Sequence, residues 1–236
     1  MLPLVLFIMA GCGNADSKNK SEASQQMDSD NDWVNLLQDK NLSNWEKRGG
    51  DAKYHVEENQ IVGTTIYNTE NTFLCTKKDY SDFILEVDVK VDTAMNSGIQ
   101  IRSHAYDQDT TFTVKTSSGE ERTVKRPKGR VHGYQVEIDP SDRAWSGGIY
   151  DEARRGWLYN LDGHPKAQAA FHNGEWNKYR IMAKGDSIKT WINGVPAAKL
   201  KDDMDSSGFI GLQVHHTMDK NPHEVRWRNI RIKTLN

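Results

Sequence analysis

Three short segments pair an apolar face with a face of groups that hydrogen-bond or carry protons. Alternate side chains of an extended strand point to opposite sides of its sheet. In residues 99–104 this sets Ile99, Ile101 and Ser103 against Gln100, Arg102 and His104. In residues 134–139 it sets Tyr134, Val136 and Ile138 against Gln135, Glu137 and Asp139. Residues 212–215 set Leu212 and Val214 against Gln213 and His215. A plain solvent face favours Lys, Glu and Thr. Gln, Arg, Glu, Asp and His are instead the groups for bidentate hydrogen bonding and proton transfer. Trp191 and Asn193 share one parity in a further segment and can supply an aromatic plate. A ring beside planar polar groups is how proteins hold sugars, whose C–H faces stack while their hydroxyls need fixed donors and acceptors. The expectation is a carbohydrate site on one sheet face.

The elements that must position these groups are strands. Phe83–Val91, 176–183, Ser187–Ile192, 208–215 and 225–233 are rich in β-branched and aromatic residues, with two-residue alternation. Turn signals separate them: Glu58-Asn59, Lys184-Gly185-Asp186, and Asn193-Gly194, a strong hairpin signal. No run of helical period reaches helix length. About a dozen strands without alternating helices predict an all-β sandwich. Residues 112–115 and 122–125, around Ser117-Ser118-Gly119, predict a protruding hairpin with a basic, solvated end.

The 236 residues are 36% hydrophobic and 27% charged, with seven tryptophans, which suffices for a core. A net charge of −2 argues against a nucleic-acid binder, which must neutralise phosphates, and gives no general attraction to anionic lipid. The run from Leu2 to Gly11 is too short to span a bilayer and reads as the apolar part of a signal peptide. Met9-Ala10-Gly11-Cys12 resembles a bacterial lipobox, which makes Cys12 the acylated residue and the membrane anchor. The expected division is a signal segment at 1–12, a polar tether at 13–32, and one sandwich domain at 33–236, held in the bacterial cell envelope. The acids at 28–32 fail the EF-hand pattern, because Trp33 stands where Gly is required, and read as tether. Cys75 is then the single cysteine of the mature chain and reads as a buried thiol.

Several motifs recur in order: Asn96-Ser97-Gly98-Ile99-Gln100-Ile101-Arg102, Gly133 through Asp139, Gly147-Gly148-Ile149-Tyr150, Gly174 through Ile181, Trp191 through Val195, residues 208–215, and Arg228 through Ile232. Together they resemble the 3-keto-disaccharide hydrolase domain family, from about Trp33 to the C-terminus. The resemblance implies a concanavalin- or laminin-G-like jelly-roll sandwich of two antiparallel sheets with a ligand cleft on one of them. It also implies action on glycosides oxidised at sugar C3. A C3 ketone acidifies the C2 proton, so a base can remove it, the C1 aglycone leaves, and water adds to the enone. On this reading Glu137 or Asp139 is the base, Arg102 stabilises the enolate oxygen, and His215 is an acid/base. Gln100, His104, Gln135, Tyr150, Trp191 and Gln213 would hold the sugar. A simpler role for Arg102 and Glu137 is a cross-strand ion pair. No cofactor is expected; adjacent His215 and His216 fall on opposite faces and do not form a two-histidine metal site. A divalent ion held by cleft carboxylates stays open.

Two rivals remain. Glu137-Ile138-Asp139-Pro140-Ser141-Asp142 resembles the E-x-D-x-x-E signature of laminarinase-type retaining glycosidases, with Asp142 in the last position. A non-catalytic carbohydrate-binding module would use the same amides and aromatics without a titrating carboxylate.

Overall fold

The computed structural model describes residues 32–38, 41–116 and 118–235; Cys12, the apolar run before it and segment 13–31 lie outside them. In chain order the strands are β1 (Val34–Asn35), β2 (Trp45–Gly49), β3 (Lys53–Glu57), β4 (Gln60–Thr64), β5 (Thr72–Tyr80), β6 (Phe83–Val91), β7 (Ser97–Ala105), β8 (Thr110–Lys115) and β9 (Glu121–Arg126). There follow β10 (Val131–Ile138), β11 (Ile149–Glu152), β12 (Gly156–Tyr159), β13 (Asn177–Lys184), β14 (Ser187–Ile192), β15 (Val195–Lys201), β16 (Gly208–Val214) and β17 (Glu224–Thr234). One short helix, α1 (Pro165–Gln168), interrupts them.

The strands form two large sheets. The first runs β15-β14-β13-β6-β17-β4-β3, with β1 also paired to β17; the second runs β12-β11-β10-β7-β16-β5-β2. The named pairings are antiparallel. Strands β8 and β9 pair only with each other, as the hairpin expected around residues 117–119. The Asn193-Gly194 turn joins β14 to β15 with φ of 50° and 83°. Asn and Gly tolerate the left-handed region that a two-residue hairpin demands of both central residues.

Inward-facing side chains of both sheets make one core. Val87, Val89, Ile99, Ile101, Val136, Ile138, Leu212 and Val214, the residues alternation assigns to it, are all buried there. Each fully buried side chain of this size contributes about 1.5–3 kcal/mol. Fold class and layer architecture match the sequence reading.

The alternation breaks at one point. Arg102 has φ of 46°, and the pairings of β7 with β10 and β16 shift register beside it. Such a bulge adds a residue to one strand and reverses the parity of the residues after it. Ser103 therefore joins Gln100, its hydroxyl donating to Gln100 Oε1 at 2.8 Å. Arg102 is only 1% exposed and sits away from that face. Its Nε donates to the Ser81 carbonyl at 2.6 Å, Nη1 to the Gly185 carbonyl at 2.7 Å, and Nη2 to Asp82 Oδ1 at 2.8 Å. It thus ties the β5–β6 turn to the β13–β14 turn. The expected enolate partner, and the expected Arg102–Glu137 ion pair, are corrected by this geometry.

Candidate functional site

The outer face of the second sheet carries a cleft of about 480 Å³ whose floor is built by β7, β10 and β16. These strands are neighbours in the order β10-β7-β16, so outward residues from all three meet. Gln100 faces Gln135 across β7 and β10, and Gly211 lies opposite Gln100 on the other side. Buried amides cannot be left unpaired without cost, and here all but one of the amide oxygens are satisfied within the face. Gln100 Nε2 donates to Gln135 Oε1 at 2.7 Å, and Gln213 Nε2 donates to the same oxygen at 3.0 Å. With its oxygen thus occupied, Gln135 turns its Nε2 to Glu137 Oε2 at 2.9 Å. Gln213 Oε1 is buried and has no hydrogen-bond partner among the described residues.

Glu137 lies in the cleft yet is 4% exposed. Asn96 Nδ2 donates to its Oε1 at 2.6 Å, and Arg143 Nη2 stands 3.6 Å from the same oxygen. Burial dominates its titration and pushes the carboxyl up to about 7, with Asp139 adding to the rise and Asn96, Gln135 and Arg143 opposing it.

Asp139, the other candidate base, does not line the cleft. It accepts from Ser141 N at 3.1 Å, Ser141 Oγ at 2.6 Å, Arg143 Nε at 2.8 Å and Trp145 N at 3.3 Å. Burial alone would raise this carboxyl, but the Ser141 and Arg143 hydrogen bonds outweigh it and hold it below the usual range. Asp139 is the organiser of loop 139–146 and the brace for Arg143. Its position before Pro140 and two residues before Ser141 is a turn signal that strand parity passes over.

Arg143, absent from the sequence reading, packs its guanidinium against Trp145 at 4.6 Å and Trp157 at 5.2 Å. Trp157 meets Tyr150 edge-on at 5.3 Å, so Tyr150 does border the cleft and Trp157 supplies its aromatic wall. Trp191 does not. It lies on β14 opposite Arg180 and Pro196, in the first sheet. Parity is a local rule and does not say which sheet a strand joins.

His215 and the Arg130–Glu152 pair, at 2.5 Å, also line the cleft. His215 Nδ1 is 2.8 Å from the His216 carbonyl, which can only accept, so Nδ1 carries the proton and Nε2 is left with a lone pair. Burial chiefly lowers the His215 pKa and keeps the ring neutral at pH 7. His104 sits past the bulge beside His132, at a ring separation of 5.8 Å, and opens on a different cavity with Arg48 and Phe209. It leaves the expected sugar set for that reason.

Alternation thus places Gln100, Gln135, Glu137, Gln213 and His215 correctly on one face. Asn96, Arg143, Trp157 and Glu152 escaped it, because they come from a loop, an edge or a strand not tested. Among the described residues no three His, Cys, Asp or Glu side chains are grouped to hold a metal ion. Asp142 is exposed and does not line the cleft. Cys75 is buried with Phe73, Val131 and Phe209, and burial pushes its thiol far above the usual range.

Solved structures share this architecture. A candidate glycosyl hydrolase from Parabacteroides distasonis is 19% identical with a TM-score of 0.53, over 86% of this chain and 99% of that one. A Bacillus subtilis protein of unknown function with a galectin-like fold is 10% identical with a TM-score of 0.53, over 82% and 90%. The carbohydrate recognition domain of Emp47p is 13% identical with a TM-score of 0.50, over 87% and 96%. No curated protein matches the sequence. At these identities the likenesses show the fold, one common to glycosyl-hydrolase-like and carbohydrate-binding proteins. The family described as 3-keto-alpha-glucoside-1,2-lyase-like matches residues 32–233, nearly all of the described structure. With the motifs of β7, β10 and β16 forming one cleft floor, the chain belongs to the 3-keto-alpha-glucoside-1,2-lyase-like domain family.

Proposed function

We propose that this domain cleaves 3-keto-glycosides by elimination followed by hydration, with Glu137 as the base. The observation that carries the reading is Glu137 itself: a carboxyl buried in a sugar-sized cleft and raised to about 7, near the optimum for proton transfer at neutral pH. Glu137 takes the proton from C2, and the electron pair moves into the C3 carbonyl to form an enolate. Arg143, beside Glu137, takes over the enolate-stabilising role first assigned to Arg102. Collapse of the enolate breaks the bond from C1 to the aglycone oxygen, leaving a 1,2-ene-3-one. His215 Nε2 then deprotonates water, hydroxide adds at C1, and Glu137 returns its proton to C2. The departing aglycone oxygen takes a proton from solvent, and the proton that His215 draws from water returns to solvent, so the protons balance. The net reaction consumes one water and yields a 3-keto-sugar and a free alcohol.

Gln213 Oε1 supports the same reading, since a buried acceptor at the cleft is suited to a sugar hydroxyl. Gln135 holds Glu137, and Tyr150 with Trp157 offers the wall on which the ring packs. The test is incubation with 3-keto-glucosides and their unoxidised parents. Aglycone release from the keto compounds alone is expected; release from neither, or from both, contradicts the elimination.

A second reading, a carbohydrate-binding module, is favoured by the likeness to the Emp47p recognition domain and by a floor of amides that need no titration. It requires sugar affinity without turnover. The export and anchoring read from Met9 through Cys12 complete the proposal, placing the reaction in the cell envelope.

A further inference from the structure

The bulge at Arg102, which turns His104 out of the cleft, delivers it to a second hollow of about 880 Å³. Strands β2, β5, β7, β10 and β16 line this hollow through Arg48, Asp79, His104, His132 and Phe209, and Tyr106 directly after β7 joins them. Register sets His104 opposite His132 and Phe209 opposite Asp79. None of these residues lines the cleft, so the two hollows are separate. Phe209 is fixed in the buried apolar cluster with Phe73, Cys75 and Val131, and the Arg48 guanidinium lies 5.5 Å from its ring. Tyr106 stacks on His132 at 4.1 Å.

The polar groups around this hollow lack partners. Arg48 Nε, the Tyr106 hydroxyl and His132 Nδ1 are shielded from water and make no hydrogen bond among the described residues. Folded proteins leave few such atoms, and half of the six among the described residues belong to this one hollow. Each sits on a part-buried side chain that lines the hollow, so a modest turn of the side chain presents it there. His104 is also uncommitted: its side chain is 42% exposed, and Nε2 comes no nearer to Asp205 Oδ1 than 3.9 Å. Burial, with Arg154 adding to the fall, lowers His132 to about 4 and leaves its ring neutral, one nitrogen a donor and the other an acceptor.

The lining selects the chemistry of a ligand. Asp79 and Asp107 face one guanidinium, which already donates to Glu46 at 2.9 Å, and so disfavour an anion. No three His, Cys, Asp or Glu side chains among the described residues are grouped for a metal ion. What the hollow offers is phenol, imidazole, guanidinium and carboxylate beside aromatic surface. That mixture of donors and acceptors fits a neutral polyhydroxyl ring, whose hydroxyls both donate and accept. Its own carboxylates are exposed, and none matches the buried Glu137. We propose that this hollow is a second carbohydrate site, which holds an unoxidised sugar unit without cleaving it. It requires no C3 ketone and is independent of the reaction assigned to the cleft.

The full chain is titrated with methyl glucoside, maltose, cellobiose and sodium sulfate while histidine ring signals are followed by NMR. Single substitutions assign the signals of His104, His132 and His215. The His104 and His132 signals should move with at least one sugar, and equally so in Glu137→Gln. Tyr106→Phe deletes a hydroxyl that has no partner, so its melting temperature should be unchanged or raised, while its sugar affinity falls about fivefold, the worth of one hydrogen bond. His104→Ala, at a half-exposed ring, should weaken the sugar by a similar factor. Still signals at His104 and His132 with all three sugars overturn the proposal, as does undiminished affinity in either variant. Movement of His215 alone overturns it by confining sugar to the cleft. A response to sulfate with none to the sugars overturns it in favour of an anion site.

Discussion

A Cβ on Gly98 would stand 2.5 Å from Cδ of Gln135, so the missing side chain of one residue is what lets the other lie flat across the cleft floor. Gly98 is also the cross-strand partner of Glu137. Gly98→Ala must therefore push Gln135 away from the carboxylate it holds. Overpacking a buried strand costs about 1–3 kcal/mol, and a catalytic group misplaced by about 1 Å loses on the order of 10²-fold in rate. The variant should stay folded, with a lowered melting temperature and a pH–rate inflection moved above that of the wild type, because Glu137 loses a donor. An unmoved inflection would show that Gln135 does not set the titration of Glu137.

Glu137→Gln separates catalysis from binding and from stability. Turnover of a 3-keto-glycoside should fall by about 10²-fold or more while affinity is kept, since the amide retains the shape. The folded carboxyl titrates near 7 against an ordinary 4.5, so the folded state binds the proton more tightly. Its stabilising contribution is complete below about 4.5 and is lost as pH rises through about 7, a change on the order of 3 kcal/mol. The variant lacks this loss. Urea midpoints at about pH 5 and pH 8 should converge in Glu137→Gln relative to the wild type, and the variant should be the more stable protein at the higher pH.

Two arginines should respond in opposite ways. Arg102→Met leaves the partly exposed Asp82 carboxylate with the Gly185 N–H and leaves two part-buried backbone carbonyls without its guanidinium, so a loss of about 1–3 kcal/mol is expected, with turnover per folded molecule retained. Arg143 is 40% exposed at its side chain and lies on the rim. Arg143→Met should cost far less stability and at least about tenfold in kcat, the signature of an interaction made in the transition state. Equal kcat effects in the two variants would return Arg102 to the mechanism.

Cys12→Ser tests the anchor. The variant is expected in the soluble envelope fraction after a high-salt wash, while the unaltered chain stays with the membrane. The salt matters, because it screens charge-held association and leaves only a covalent lipid to retain the domain. Retention after the wash contradicts acylation at Cys12.

Period-two alternation by itself determined the sheet faces of this protein: Val136 and Ile138 had to face a core, and Gln135 and Glu137 had to face away from it. It also determined the Asn193-Gly194 hairpin, where both residues had to accept positive φ. The ordered motifs determined the family. Three things only the tertiary structure decided. The bulge at Arg102, where β7 shifts register against both β10 and β16, reverses the parity of the later residues on β7 and carries Arg102 and His104 out of the cleft. Sheet membership sends Trp191 to the first sheet and brings Trp157, which alternation did not test, to the second. Loop 139–146 turns Asp139 inward onto its own backbone and swings Arg143 over Glu137. Alternation is set within a strand by backbone sterics, whereas bulges, sheet order and loop closure depend on contacts between residues far apart in the chain. The same division explains the charge. Composition sets a total near neutrality, and only folding sorts the lysines and arginines of β13, β14, β15 and β17 onto one surface.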